Sequence, residues 1–463
     1  MPRKQLTAFV LAAGLSTRMK SEKQKTLHEV CGRPLIFYPL KALQDAGIHK
    51  IIVVVGHKKE ELQSSIKKYF KNIIFAPQKK ALGTADAVKA GLAKFKGEND
   101  ILIINGDAPL LRHETLEKLI SFHEENRADI SLISAEFKTP PAYGRIIRTG
   151  HNKVFKIVEE KDASIEEKHI KEVNAGIYCV KSSFLKHAIK NISNKNKKNE
   201  FYLTDLVSFS EEAYVYKTSN NLEIFGVNDR KDLELIRSQI QKNINEKHML
   251  NGVTLINSEN IYIDNDVEIE NDVTIHPNTH LKGKSKISKN TIVESHCFIE
   301  NSEIGEGCHI KQSSVIEEST LKKNVTVGPM AHLRPLSIVE ENARVGNFVE
   351  LKKTTLGKNS KANHLSYLGD AHIGAHVNIG CGVITCNYDG FQKHKSTVSD
   401  GAFIGSDVQL VAPVKIGKNA YVGSGSTITK NVPENDLAIA RTRQTNIKGY
   451  AKTLKKIKGF QKK

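Results

Sequence analysis

A chain of 463 residues with 39% hydrophobic and 26% charged residues exceeds what one hydrophobic core usually organises, which predicts two domains of ordinary size. That balance excludes a disordered or fibrous chain, and no segment approaches the ~20 consecutive apolar residues needed to span a bilayer. The formal net charge of +18 raises nucleic acid as a partner, but the lysines are spread along the whole chain without a recognition motif. Polyanionic small substrates are therefore expected and nucleic acid is not.

The start, MPRKQLTAFVLAAG, imitates a secretory signal, but its apolar run is too short and leads straight into Gly14 and Arg18. It reads as a buried first strand of a cytoplasmic protein with no membrane insertion. The six cysteines form no CxxC pair, so reduced, mostly buried thiols are expected. Strand-like LTAFVLAAG, KIIVVVG, NIIFAP and DILIINGD alternate with helical stretches around Pro34 to Gly47 and Lys59 to Phe70. This predicts a doubly wound, Rossmann-like α/β domain on a parallel sheet. Ligands on such sheets bind at the carboxyl ends of strands, where Gly14, Gly56 and Asp107 fall.

From Asn228 the pattern changes to a helix with Leu233, Ile236, Ile240 and Ile244 on one face and Asp229 as N-cap. The expected division is a first domain over 1–228, a linker helix over 229–250 and a second domain over 251–463. In the second, Ile263, Ile269, Ile275, Leu281, Ile287, Val293 and Ile299 fall six residues apart. A second register runs Val315, Leu321, Val327, Leu333, Val339, Val345 and Leu351, and a third Ile404, Leu410, Ile416, Val422 and Ile428. A hexapeptide repeat, each six residues forming one side of a triangular coil, predicts a parallel β-helix over 251 to about 437. The glycines after many of these aliphatics (Gly305, Gly374, Gly405, Gly417, Gly423) are expected at tight corners. A coil alone can be purely structural, so chemistry must come from residues that break the pattern.

In LAAGLSTRMKSEKQKTL a strand breaks at Ala12, Ala13 and Gly14, where backbone N–H groups can face an anion, and Arg18 and Lys25 add positive charge. This is a phosphate cradle. Gln78, Gly83 and Thr84 lie in a second loop, and Asp107, after Gly106 at a strand end, suits a hard divalent cation beside phosphate. LAAGLSTRM, LGTADA, NGDAPL, YGRI, VEEKDA, VNAGIY, EFYLTD and GVNDR, in this order, resemble the sugar-1-phosphate nucleotidyltransferases. In detail they resemble the bifunctional N-acetylglucosamine-1-phosphate uridylyltransferase/glucosamine-1-phosphate N-acetyltransferase family, over nearly the whole chain.

The resemblance implies that Leu11, Ala12, Ala13 and Gly14, with Gln78, Gly83 and Thr84, hold the uridine side of UTP. It implies that Arg18 and Lys25 neutralise phosphate, that Asp107 and Asn228 hold Mg²⁺, and that Gly106, Gly144, Glu159 and Asn174 line the UDP-sugar site. Ser16, Gln24 and Asn105 depart from the family pattern without removing a charge the chemistry requires.

The second half concentrates polar residues between the second and third registers, and 387–396 reads as an excursion loop. His364 is the candidate general base, because transfer of acetyl to an amine requires removal of a proton near neutral pH. AHLRP, GNFVELKK, NHLSYLGD, VNIGCG and TCNYDG match the acetyltransferase half of the same family. This implies a left-handed coil, Arg334, Lys352, Tyr367 and Asn378 around the sugar phosphate, and Glu350 orienting His364. Acetyl-CoA is implied along Cys381, Asn387, Tyr388, Ser406, Ser424 and Arg441, with Asn387 or Ser406 polarising the thioester. Cys381 and Ser424 stand where alanine is common. A homotrimer with acetyl sites between subunits is also implied, as is UDP-N-acetylglucosamine feeding cell-wall and envelope polysaccharide synthesis. The basic tail from Lys448 is a solvated tail or a contact for coenzyme A phosphates. The alternative is a sugar-1-phosphate nucleotidyltransferase whose coil is only structural.

Overall fold

The computed structural model describes residues 6–14 and 17–457, and its contacts divide the chain into two compact units, Met1–Asn243 and Ile244–Lys463. In the first unit, Thr7–Ala12 lies between Lys50–Val55 and Ile101–Asn105, parallel to both, and Ile73–Pro77 extends the sheet. Successive residues of the first strand serve different cores: Ala8, Val10 and Ala12 pack with Leu40, Leu62 and Leu119, while Phe9 packs with Ala85, Val88 and Leu185. Helices therefore cover both faces, which is why the strand reads as an unbroken apolar run rather than an alternation.

The sheet is mixed, not purely parallel. Glu172–Val180 runs antiparallel between Ile101–Asn105 and Ile130–Glu136. The chain before it forms the antiparallel pair Arg145–Arg148 and Val154–Val158 and returns with no long crossover helix, so it enters the sheet reversed. Its register breaks between Asn174 and Tyr178, a bulge with Gly176 at φ +71°. The helix Arg230–Leu250 is capped by Asp229, whose Oδ1 accepts from the N–H groups of Lys231 and Asp232 at 2.9 and 3.0 Å. It buries Leu233, Ile236 and Ile240 as its spacing predicts.

The second unit is a parallel β-helix of three sheets with eleven, ten and nine short strands. Inward aliphatics stack coil upon coil, as in Ile275, Val293, Ile310, Val327 and Val345. The first and third registers are core, with Ile269 only partly buried. The second slips at its start: Ile316 is fully buried and Val315 is not. The cause is that some sides have five residues, as from Ile299 to Ile304 and from Ile316 to Leu321, and again from Leu351 to Leu356.

The repeat glycines do not turn the corners. Among the described residues the left-handed conformation falls two positions later, at Gly307, His376, Asp407, Asn419 and Gly425. Gly305, Gly374, Gly405 and Gly417 are demanded by close approach instead: a Cβ on Gly405 would lie 2.6 Å from the backbone N of Ser424 in the next coil. A second repeat went unread in the sequence. Thr291 Oγ1, Cys297 Sγ, Cys308 Sγ, Thr354 Oγ1 and Ser360 Oγ donate to carbonyls fourteen residues on, at 3.0, 3.2, 3.1, 2.8 and 2.6 Å. They tie one coil to the next from inside.

Candidate active sites

The loops after Thr7–Ala12 and Ile73–Pro77 open a cleft of about 450 Å³ lined by Leu11, Ala12, Ala13, Gly14, Arg18, Lys25, Gln78, Gly83, Thr84, Asp107 and Asn228. The structure thus brings every residue assigned to the nucleotide and metal into one place, with Thr17, Thr26 and Glu200 added. A second cavity, of about 220 Å³, is lined by Gly144, Glu159 and Asn174, with Tyr143, Tyr178 and Thr204. Leu11, Thr84, Asn105, Asp107 and Asn228 line both. Gly106 lines neither. It is buried, and a Cβ there would meet Ile36 Cδ1 at 2.7 Å, so its small size serves packing behind the cleft.

At the junction, Lys25 Nζ is paired with Asp107 Oδ2, and Arg18 Nη2 donates to Asn228 Oδ1 at 2.8 Å. The cradle's cations are thus held beside the two oxygens expected to bind a metal. Among the described residues no group of three or more His, Cys, Asp or Glu could hold an ion. One carboxylate plus one amide carbonyl is nonetheless a fitting hard-oxygen pair for Mg²⁺, which takes much of its shell from phosphate and water.

In the second cavity, the Asn174 side chain accepts from Gly176 N–H at 3.1 Å and donates to Tyr178 Oη at 2.7 Å. The bulge therefore fixes its direction. Glu159 accepts from Thr204 Oγ1 at 3.3 Å. Burial pushes its carboxyl above the ordinary range, partly offset by Lys198 and the Thr204 hydroxyl. Burial likewise raises the Tyr143 phenol, whose oxygen accepts from Gly226 N–H at 3.2 Å.

On the β-helix, one corner carries a column along the coil axis. Leu365 N–H donates to Asn347 O, Gly382 N–H to His364 O, Asp407 N–H to Cys381 O, and Gly425 N–H to Ser406 O, at 3.1, 3.4, 2.7 and 2.9 Å. Asn347, His364, Cys381, Ser406 and Ser424 are successive rungs, and Arg441 Cδ lies over Gly425. His364 is exposed, and its Nδ1 is 3.1 Å from Asn347 Oδ1. Within one chain Glu350 makes another bond. Glu350 Oε1 accepts from Arg334 Nη1 at 2.9 Å, because its strand stacks with those of His332 and Tyr367 on the next sheet.

Beside the column, Lys352 Nζ is 3.7 Å from Asp370 Oδ2, and Asn387 Nδ2 donates to the same oxygen at 2.5 Å and to Tyr367 Oη at 3.5 Å. The 387–396 excursion is built around Asp389, which accepts from Phe391 and Gln392 N–H at 2.8 Å and pairs with His394 at 2.6 Å. These bonds hold its carboxyl well below the usual range. The loop brings Lys393 against Lys352, which lowers the Lys393 pKa. Asn378 stands on the neighbouring sheet with Lys361 and Phe403, and Tyr388 is exposed.

Residues 8–168 match the MobA-like NTP transferase domain and residues 395–430 the bacterial transferase hexapeptide family of six repeats. Over 97% of its length the chain is 44% identical to the bifunctional protein GlmU of Pelobacter propionicus, covering 99% of that protein. It is 43% identical to the GlmU protein of Geotalea uraniireducens and 45% identical to that of Caldanaerobacter subterraneus, over 96% of this chain and 98% and 97% of theirs. The chain belongs to the bifunctional GlmU family. Of its departures within that family, Gln24 donates to His57 O and lines the cleft. Asn105 lies against Gly176, where a Cβ would be 2.5 Å from its Nδ2, and Ser16 lies outside the described residues. Besides the cavity-lining Thr17, Thr26, Glu200, Tyr143 and Tyr178, sequence reading of this GlmU chain missed Asn347, Asp370, Lys393 and Thr204. For Asn347 the signal was available: it precedes His364 by one coil.

No helix among the described residues is long and apolar enough to cross a membrane.

Proposed function

We propose that this GlmU-family chain makes UDP-N-acetylglucosamine in the cytoplasm in two steps. Its second domain (251–463) acetylates glucosamine-1-phosphate from acetyl-CoA. Its first (1–228), joined by the 229–250 helix, couples N-acetylglucosamine-1-phosphate to UTP. The observation that carries the first site is the shared wall: Asp107 and Asn228 line both cavities, where a nucleotide's α-phosphate and a sugar phosphate must meet. Arg18 and Lys25 neutralise phosphate charge, and Gly144, Glu159 and Asn174 hold the amino sugar. The sugar phosphate oxygen attacks the α-phosphorus in line, the new P–O bond forms and pyrophosphate leaves, so positioning and charge neutralisation supply most of the rate. Asp107 and Asn228 hold Mg²⁺, which when bound adds charge neutralisation at the phosphates.

In the second site Arg334, Lys352, Lys393, Tyr367 and Asn378 receive the sugar phosphate. Asn347 accepts from His364 Nδ1–H, leaving Nε2 free as the base. The amine attacks the thioester carbonyl, the C–N bond forms and the C–S bond breaks. The amine proton passes to His364 Nε2 and on to the departing thiolate. Asn387 or Ser406 polarises the carbonyl, and coenzyme A runs along Cys381, Tyr388, Ser424 and Arg441. Met330, Phe348 and Leu365, at successive corners beside His364, are 47%, 54% and 58% exposed, an apolar edge that supports a homotrimer completing the site. A merely structural coil has no need of His364 with cations gathered beside it.

The test follows thiol and pyrophosphate separately in purified protein. His364→Ala abolishes thiol release alone, and Asp107→Ala abolishes pyrophosphate release from supplied N-acetylglucosamine-1-phosphate alone. Wild type that releases no thiol leaves the second domain a scaffold.

A further inference from the structure

We infer that Asp86, which does not line the cleft, sets nucleotide selectivity by locking the Gln78 amide so that only its oxygen faces the base. Gln78 Nε2 donates to Asp86 Oδ2 at 2.8 Å and to Gly83 O at 3.3 Å. Both partners are acceptors only, so the amide cannot turn over without setting its oxygen against a carboxylate and a carbonyl. Its two N–H bonds are spent on the protein, and Oε1 is what Gln78 offers to the cleft it lines. Asp86 sits in the first turn of the helix Thr84–Leu92, half-buried.

A fixed acceptor distinguishes the two pyrimidines. Uracil carries a hydrogen on N3 and pairs with Oε1, whereas cytosine has a lone pair at N3 and meets it with repulsion. An amide free to rotate pairs with either base, so selectivity rests on the lock, not on Gln78 alone. A site committed to one hydrogen bond rejects an analogue lacking it, because the site's own polar group is then left unpaired. The inference rests on the uridine reading of this cleft. Asp86 is a positioning residue: it acts through Gln78.

The experiment compares kcat/KM for UTP, CTP and N3-methyl-UTP with N-acetylglucosamine-1-phosphate as second substrate. Wild type prefers UTP to both. Asp86→Ala narrows the UTP-to-CTP ratio about 10-fold or more, mainly through a higher KM for UTP, while the KM for the sugar phosphate is kept. Adding Asp86→Ala to Gln78→Ala leaves the ratio as in Gln78→Ala alone, which separates a lock acting through Gln78 from electrostatics at the helix end. An unchanged ratio in Asp86→Ala, or a further fall when Asp86→Ala is added to Gln78→Ala, overturns the inference. Wild type that uses CTP as readily as UTP refutes the uridine reading itself and the inference with it.

Discussion

Replacing Asn347 by Ala removes the acceptor 3.1 Å from His364 Nδ1. A hydrogen bond of this kind contributes about 0.5–1.5 kcal/mol, which corresponds to a fall of roughly 2- to 12-fold in kcat for acetyl transfer. The imidazole stays in place but loses the partner that fixes its tautomer, so the KM for glucosamine-1-phosphate is nearly unchanged. Asn347→Asp sets a carboxylate against Nδ1, favours imidazolium, and moves the acid limb of the pH–rate profile to higher pH. Glu350→Gln behaves differently. It weakens the bond to Arg334, so its effect appears in the KM for the sugar phosphate with kcat preserved. Steady-state thiol release across a pH series reads all three. A Glu350→Gln variant that loses as much kcat as His364→Ala, beside a wild-type Asn347→Ala, refutes this assignment.

A Cβ on Gly357 would lie 2.2 Å from Gly374 O, whereas around Gly14 nothing stands within 4 Å. Gly357→Ala is therefore expected to cost about 1–3 kcal/mol in thermal unfolding of the second unit, and Gly14→Ala to leave Tm unchanged. The Glu159 carboxyl is raised by burial, so the folded protein loses stability as pH rises from the ordinary carboxyl range through that raised pKa. Glu159→Gln is accordingly expected to raise Tm near neutral pH, with the gain vanishing in acid; a gain independent of pH contradicts the burial argument. Burial pushes the Cys297 and Cys308 thiols up to about 11, so iodoacetamide at mildly alkaline pH should spare both and label the half-buried Cys31, Cys381 and Cys386 first. Mass mapping of the alkylated peptides decides it.

Much of the fold was legible because its core is repetitive. An aliphatic every six residues leaves few architectures open. The slip at Val315 shows the limit: Val315 and Ile316 are adjacent and equally apolar, and only the five-residue side that follows decides which turns inward. The glycines misled for a related reason. A sequence reveals that a residue is small, but not whether φ or a neighbouring coil's backbone demands it. The reversed strand Glu172–Val180 carries the same apolar run as its parallel neighbours, since both of its faces are covered as well. The family resemblance implied Glu350 as the partner of His364. Stacking, which joins residues seventeen apart as Asn347 and His364 are joined, assigns that place to an uncharged side chain.

The corner column is also a ruler. Adjacent strands are spaced about 4.8 Å apart, so the three rungs from His364 to Ser424 measure roughly 14 Å and the step to Arg441 brings the total to about 19 Å. A linear carrier lying along it, with its reactive carbon at His364, has its far end fixed in advance by counting strands. Adding one whole coil between Cys381 and Ser406 would leave every side chain facing as before and still move the two ends of the site apart by one strand spacing. Such a variant would fold, keep its base, and select a carrier of a different length.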